Sequence, residues 1–216
     1  NVVPSNQYVS KVKLVGPIIP RMPDTLPPAE EMKRKLGFDD RPLVLAAISG
    51  TRAEKQIISA RLQNIFMDFP ERYNIVLTKG LADPQNGIPR LDFGRVQVHN
   101  WLNDRHTYLK ACDILVTRGG HNTVSEAIYY GKPMVVIPTP SHSEHQGIAE
   151  SLAHMGLGIP LQQSDLNKDT LLRSVQSLTE DSGYGQRMKA AQEFAFKFDA
   201  IDSIYKTVCR ALNAPY

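Results

Sequence analysis

The sequence predicts an α/β fold, a doubly wound parallel sheet of about six strands with helices on both faces, and three observations point to it. Short apolar runs such as Leu43 to Ile48 alternate with longer amphipathic stretches, as in βα units. Glycine and small polar residues cluster where an apolar run ends and an amphipathic one begins, the place a strand-to-helix turn needs them. No fixed-period repeat and no low-complexity tract interrupts the alternation.

The elements follow in chain order. Residues 1–28 carry Pro4, Pro17, Pro20, Pro23, Pro27 and Pro28, each removing a backbone donor, and read as an interdomain linker with one short strand at Val12 to Val15. Ala29 to Leu36 has Glu30 and Glu31 in its first turn, Lys33 to Lys35 in its last and Gly37 beyond, a short helix matched to its own dipole. Strands are then expected at Leu43 to Ile48, Asn74 to Thr78, Val96 to His99, Ile114 to Thr117, Met134 to Ile137 and Gly158 to Leu161. The intervening helices are expected at Ala53 to Phe69, Arg105 to Cys112, Asn122 to Tyr130, Glu144 to His154 and Lys168 to Thr179, with Gly185 to Phe198 and Ile201 to Leu212 closing the chain. Residues 29–216 thus form one domain.

Composition narrows the function classes. The 216 residues carry 25 basic and 22 acidic side chains, a net charge of +3 without the like-charge block of a nucleic-acid-binding tail, and no nucleic-acid partner is expected. No apolar run approaches the roughly 20 residues a membrane span requires. Cys112 and Cys209 are far apart and lack metal-type spacing, which suits a reducing, cytoplasmic setting. The chain opens on Asn1 rather than Met and is expected to continue upstream.

In doubly wound sheets ligands bind outside the carboxyl ends of the strands, so the strand-to-helix junctions carry the candidate chemistry. The first junction, Ser49-Gly50-Thr51, offers small residues and free amides to an anion, and a tight turn with an N-cap accounts for it equally well. The second, Arg118-Gly119-Gly120-His121-Asn122-Thr123, puts two glycines and a cation before a helix, which suits a diphosphate. It is neither a G-x-G-x-x-G fingerprint nor a Walker loop. Glu126, one turn past Thr123, is placed to accept from a ribose diol, or else to cap its own helix. The third junction runs from Pro138 to Gln146, where Glu144 and Gln146 are the groups best suited to sugar hydroxyls. His142 and His145 lack the second ligand pair a zinc site needs, and no metal is expected.

The segments Trp101-Leu102, Asp113-Ile-Leu-Val-Thr-Arg-Gly-Gly-His-Asn-Thr-Val-Ser-Glu-Ala127 and Gly131-Lys-Pro-Met-Val-Val-Ile-Pro138, ending in Glu144-His145-Gln146, resemble the carboxy-terminal domain of GT-B glycosyltransferases. The group is the one containing the lipid II N-acetylglucosaminyltransferase, diacylglycerol galactosyltransferases and UDP-glycosyltransferases. The resemblance implies a Rossmann-like domain that forms the C-terminal half of a GT-B fold and binds a UDP-sugar. By position, Trp101 walls the uracil site and Leu102 reads the base through its backbone; Ser49 to Thr51 and Arg118 to Thr123 hold the diphosphate; Glu126 binds ribose; Glu144 and Gln146 meet the donor sugar. Many relatives have His in place of Arg118 and Asp in place of Glu144, and the longer carboxylate bears on sugar identity.

The reaction implied is inverting transfer of a hexose or N-acetylhexosamine to a lipid-linked or other acceptor. The general base would come from an N-terminal acceptor domain that these residues do not contain, so the chain alone is expected to be inactive. It would be cytoplasmic and reach the membrane surface through that other domain. No cofactor beyond the UDP-sugar substrate is implied. Two other readings stay open: a non-catalytic donor-binding subunit of a bipartite transferase, and a UDP-sugar 2-epimerase.

Overall fold

A computed structural model describes residues 12–81 and 90–212. Strands β1 (Leu43–Ala47), β2 (Asn74–Thr78), β3 (Arg90–Asp92), β4 (Val96–His99), β5 (Ile114–Thr117), β6 (Met134–Val136) and β7 (Gly158–Pro160) form one sheet in the order β3-β4-β2-β1-β5-β6-β7. All pairings are parallel except β3 with β4. The helices are α1 (Ala29–Lys35), α2 (Arg52–Met67), α3 (Arg105–Ala111), α4 (His121–Tyr129), α5 (Ser143–His154), α6 (Lys168–Glu180), α7 (Ser182–Ala195) and α8 (Ala200–Ala211).

The strands are apolar on both sides because both sides are covered. Leu43 and Leu45 of β1 and Leu115 of β5 join one core, packed with Leu109 of α3, Ala127 of α4 and Leu152 of α5. Val44, Ala46, Ile114 and Val116 enter the other, under Ile58, Leu62 and Phe66 of α2 and Val175 of α6. The two layers of helix meet the sheet through alternate residues of the same strands, as the two-residue period of a strand requires.

Strand order reverses at β1. From there the chain builds outward through β2 and β4 on one side and through β5, β6 and β7 on the other. Ala47 lies beside Thr117 at the carboxyl end of this pair, so the loops that follow β1 and β5 open onto a single crevice.

Each of the six strands expected from residue 43 onward is present, and the edge strand β3 is an addition. Its three residues pair antiparallel along β4 and carry too little periodicity to be seen in sequence. Val12 to Val15 is in no strand: Leu14 is exposed and the segment has no ladder partner. The lead-in is instead held from Ile19 onward, where Ile19, Pro23 and Leu26 are buried. Lys110 Nζ donates to the Pro23 carbonyl (3.0 Å) and Tyr130 Oη to that of Arg21 (2.8 Å).

Helix α7 begins at Ser182, ahead of the expected Gly185, because the Asp181 carboxylate caps it by accepting from the Gly183 amide at 2.8 Å. Helix α1 is anchored to the sheet through Asp113, whose Oδ2 accepts from both Lys33 Nζ (2.8 Å) and the Leu43 amide (2.6 Å). Among the described residues no helix is long and apolar enough to cross a membrane.

Candidate functional site

The crevice at the β1/β5 reversal is built from loops that the strand ends aim at one another. After β1, Ser49-Gly50-Thr51 leads into α2 through a capping box: Thr51 Oγ1 accepts from the Glu54 amide, while Glu54 Oε2 accepts from the Thr51 amide and hydroxyl, both at 2.8 Å. These bonds from Thr51 hold the Glu54 carboxyl below its usual range. Thr51 is therefore engaged as a cap, and Ser49 is the member of this loop that faces across the crevice, near Gly120.

After β5 the chain turns at Gly119, whose φ of +87° an L side chain rarely adopts; an added Cβ would stand 2.9 Å from Val136 Cγ1. Gly120 then caps α4 without a side chain, and the first turn of α4 has no acidic residue. Its amides and the positive end of its dipole are left to an anion. Ser49, Gly120, His121, Asn122, Thr123 and Glu144 line one open pocket of about 340 Å³.

A second pocket, of about 320 Å³, adjoins it through Ser49 and Thr123 and reaches back over the ends of β1, β2 and β4. Trp101, 45% exposed, and the buried Leu102 stand in its wall. Gly80, at φ +63°, lets the backbone of this wall pass close to the Ile48 carbonyl. Two cations also line this pocket, Lys55 and Arg105, and the reading of the sequence did not single out either. Lys55 Nζ donates to the Gly80 carbonyl at 2.6 Å. Lys55 lies four residues after Thr51 and Arg105 four after Trp101, but only the fold shows that they converge.

Arg105 is also the partner of Glu126. The Glu126 carboxylate is buried and accepts from Arg105 Nη2 at 2.5 Å, with His106 Nε2 at 3.6 Å. A ribose reaching Glu126 has to share it with Arg105 or displace it.

The largest departure from the sequence reading is Arg118, expected to project toward a diphosphate. It is 1% exposed, and its guanidinium is spent within the protein. Nε and Nη2 donate to Thr139 Oγ1 (3.2 and 2.8 Å), and Nη1 donates to Gln163 Oε1 (2.7 Å). Burial lowers its pKa, a pull that the Glu54 carboxylate opposes. Gly120, His121, Asn122 and Thr123 line the crevice, Gly119 is the buried turn behind them, and the arginine beside it is turned under the crevice.

Glu144 and Gln146 sit in the first turn of α5, with Glu144 at the rim of the open pocket. Ahead of them Ser141 has φ +60°. His142 stacks on His145 with centroids 3.9 Å apart and caps the helix by accepting from the His145 amide. No group of three or more His, Cys, Asp or Glu side chains able to hold a metal occurs among the described residues.

A mostly parallel, doubly wound seven-stranded sheet flanked by helices is the fold of the carboxy-terminal domain of GT-B glycosyltransferases. Solved structures share it: the glycosyltransferase SnogD from Streptomyces nogalater, 22% identical with a TM-score of 0.62, is matched over 91% of this chain and 48% of its own. Glycosyltransferase VinC, solved in complex with dTDP, is 20% identical with a TM-score of 0.61 over 81% of this chain and 43% of its own. At these identities the likeness carries the fold.

The family follows from the sequence: the chain belongs to glycosyltransferase family 28, whose C-terminal domain it matches over residues 47–204. Among curated relatives, an uncharacterized glycosyltransferase of Methanopyrus kandleri is 25% identical over 77% of this chain and 47% of its own length. The UDP-N-acetylglucosamine–N-acetylmuramyl-(pentapeptide) pyrophosphoryl-undecaprenol N-acetylglucosamine transferase of Caldicellulosiruptor saccharolyticus is 27% identical over 81% of this chain and 49% of its own. The chain spans about half the length of the curated relatives it matches.

Proposed function

We propose that this chain is the donor-binding part of an inverting glycosyltransferase that takes a UDP-sugar and serves transfer to a lipid-linked acceptor. The observation that carries the reading is the uncapped start of α4, which faces Ser49 across the β1/β5 reversal and opens into the pocket walled by Trp101 and Leu102. The base lies in that pocket, the ribose at Glu126, the diphosphate against the amides of α4, and the sugar at Glu144 and Gln146.

As the glycosidic bond to the donor breaks, negative charge grows on the departing diphosphate. Donors already fixed around it stabilise that charge without rearranging, and this is the chain's contribution to the rate. Helix amides, Lys55 and Arg105 supply the positive potential, with no divalent cation required. The attacking oxygen and its general base belong to an acceptor-binding domain outside these residues, so the chain alone holds the donor without transferring it. The pyrophosphoryl-undecaprenol acceptor in the names of the relatives supports a site of action at a membrane surface.

Calorimetric titration with UDP, ADP, GDP and dTDP tests the reading. UDP is expected to bind tightest; preference for another nucleotide moves the donor class, and failure of all four ends the proposal.

A further inference from the structure

We propose that Arg118 is a positioning residue for the donor sugar, acting through Thr139 and Gln163 on the first turn of α5, and not a ligand of the diphosphate. The inference rests on the reading that Glu144 and Gln146 meet the sugar of a bound UDP-sugar.

Two routes lead from the guanidinium to that turn. The first runs through Thr139. Its hydroxyl oxygen accepts from Nε and Nη2 of Arg118, which uses both of its lone pairs and leaves its proton for His145 Nδ1, 3.1 Å away. His145 lies between Glu144 and Gln146, so the bond sets the rotation of the turn that presents them. The second runs through Gln163, which accepts from Nη1, while its neighbour Gln162 donates from Nε2 to Gln146 Oε1 at 3.3 Å. The exit of β7 and the start of α5 are thereby tied to one planar cation at the end of β5.

The segment between needs such a tie. Ser141 holds a left-handed φ of +60°, a conformation that persists only where surrounding contacts impose it. Swinging Arg118 out to a phosphate would take the cation from the Thr139 hydroxyl and the Gln163 carbonyl, and the hydrogen bonds it now makes are of the stronger, charge-assisted kind. A lysine would keep the charge and lose the fork, since one ammonium on a flexible stem does not reproduce two planar edges aimed at Thr139 and Gln163.

The two roles separate in a binding experiment. This chain, R118K and T139V are titrated calorimetrically with UDP and with UDP-N-acetylglucosamine, UDP-glucose and UDP-galactose, after circular dichroism has confirmed folding. The expected result is a UDP affinity within about twofold of the parent for both variants, with the best-bound UDP-sugar weakened about tenfold in each. If R118K fails to fold, T139V and Q163A carry the test.

A tenfold loss of UDP itself in R118K beside a normal T139V makes Arg118 a phosphate ligand and overturns the inference. Parent binding in which no sugar changes the affinity of UDP also overturns it, while leaving the donor reading intact. A parent that binds no UDP removes both.

Discussion

Glu126 and Arg118 show how burial decides what a charged side chain does. Both sit on or beside α4, both are nearly fully buried, and each is neutralised or bonded from within the protein. An unpaired buried charge would cost several kcal/mol, so each has a partner in the absence of ligand. They differ in what the partner leaves exposed. Arg105, which holds Glu126, is itself half exposed and lines the pocket walled by Trp101, so under the proposed function it can swing away for a ribose diol. Arg118 is buried and has its guanidinium bonded to Thr139 and Gln163. Glu126→Ala is accordingly expected to weaken UDP by roughly 1.5–3 kcal/mol, the usual worth of hydrogen bonds to a charged group. Unchanged affinity by calorimetry would remove the ribose role.

At the scale of elements, the helix starts at the crevice divide into two kinds. Helix α2 is closed by its own capping box and α5 by the ring of His142, whereas α4 has only Gly120 and is left open for a ligand. The start of α5 is sensitive to pH through His145. Burial and the adjacent His142 lower the pKa of His145, Arg118 lowers it further, and Glu144 and Glu54 act in the opposite direction. The native state therefore disfavours the proton that an unfolded chain accepts. The stabilisation held by neutral His145 is complete above the ordinary imidazole value near 6.5 and is lost as pH falls through that value toward the lowered one. Urea midpoints measured from pH 7.5 to 5.5 should fall, and His145→Ala should flatten that dependence. A parent curve as flat as the variant's would show that the proton goes elsewhere.

For the whole molecule, the reversal at β1 makes the proposed nucleotide site a property of the folded sheet and of no single segment. The Ser49 loop, the exit of β4 and the start of α4 come together only when β1 lies between β2 and β5. UDP should therefore bind the native state alone. At a free concentration about 100 times its Kd it should add about 2.7 kcal/mol of stability, a rise in Tm on the order of 5–10 °C for a chain of this size. Since the reading assigns the charge to protein groups, the shift should survive EDTA. Its disappearance on chelation would call for a metal in the donor complex.

Much of this was legible in order along the chain. The strands from β1 to β7 apart from β3, the glycine turn after β5, and the placing of Thr123 and Glu126 one turn apart all follow from apolar period and backbone freedom, which are local properties. Edge strand β3 escaped because three residues pairing along β4 draw their order from the neighbour and not from their own pattern. Lys55 and Arg105 escaped because they enter the pocket from separate βα units. Arg118 was found, but its burial and its bonds to Thr139 and Gln163 were not. The sequence by itself determined that a cation and two glycines follow β5 and lead into a helix. Only the tertiary structure decided that the cation turns inward, because the groups that hold it, Thr139 and Gln163, lie 21 and 45 residues further on and reach it only across the assembled sheet.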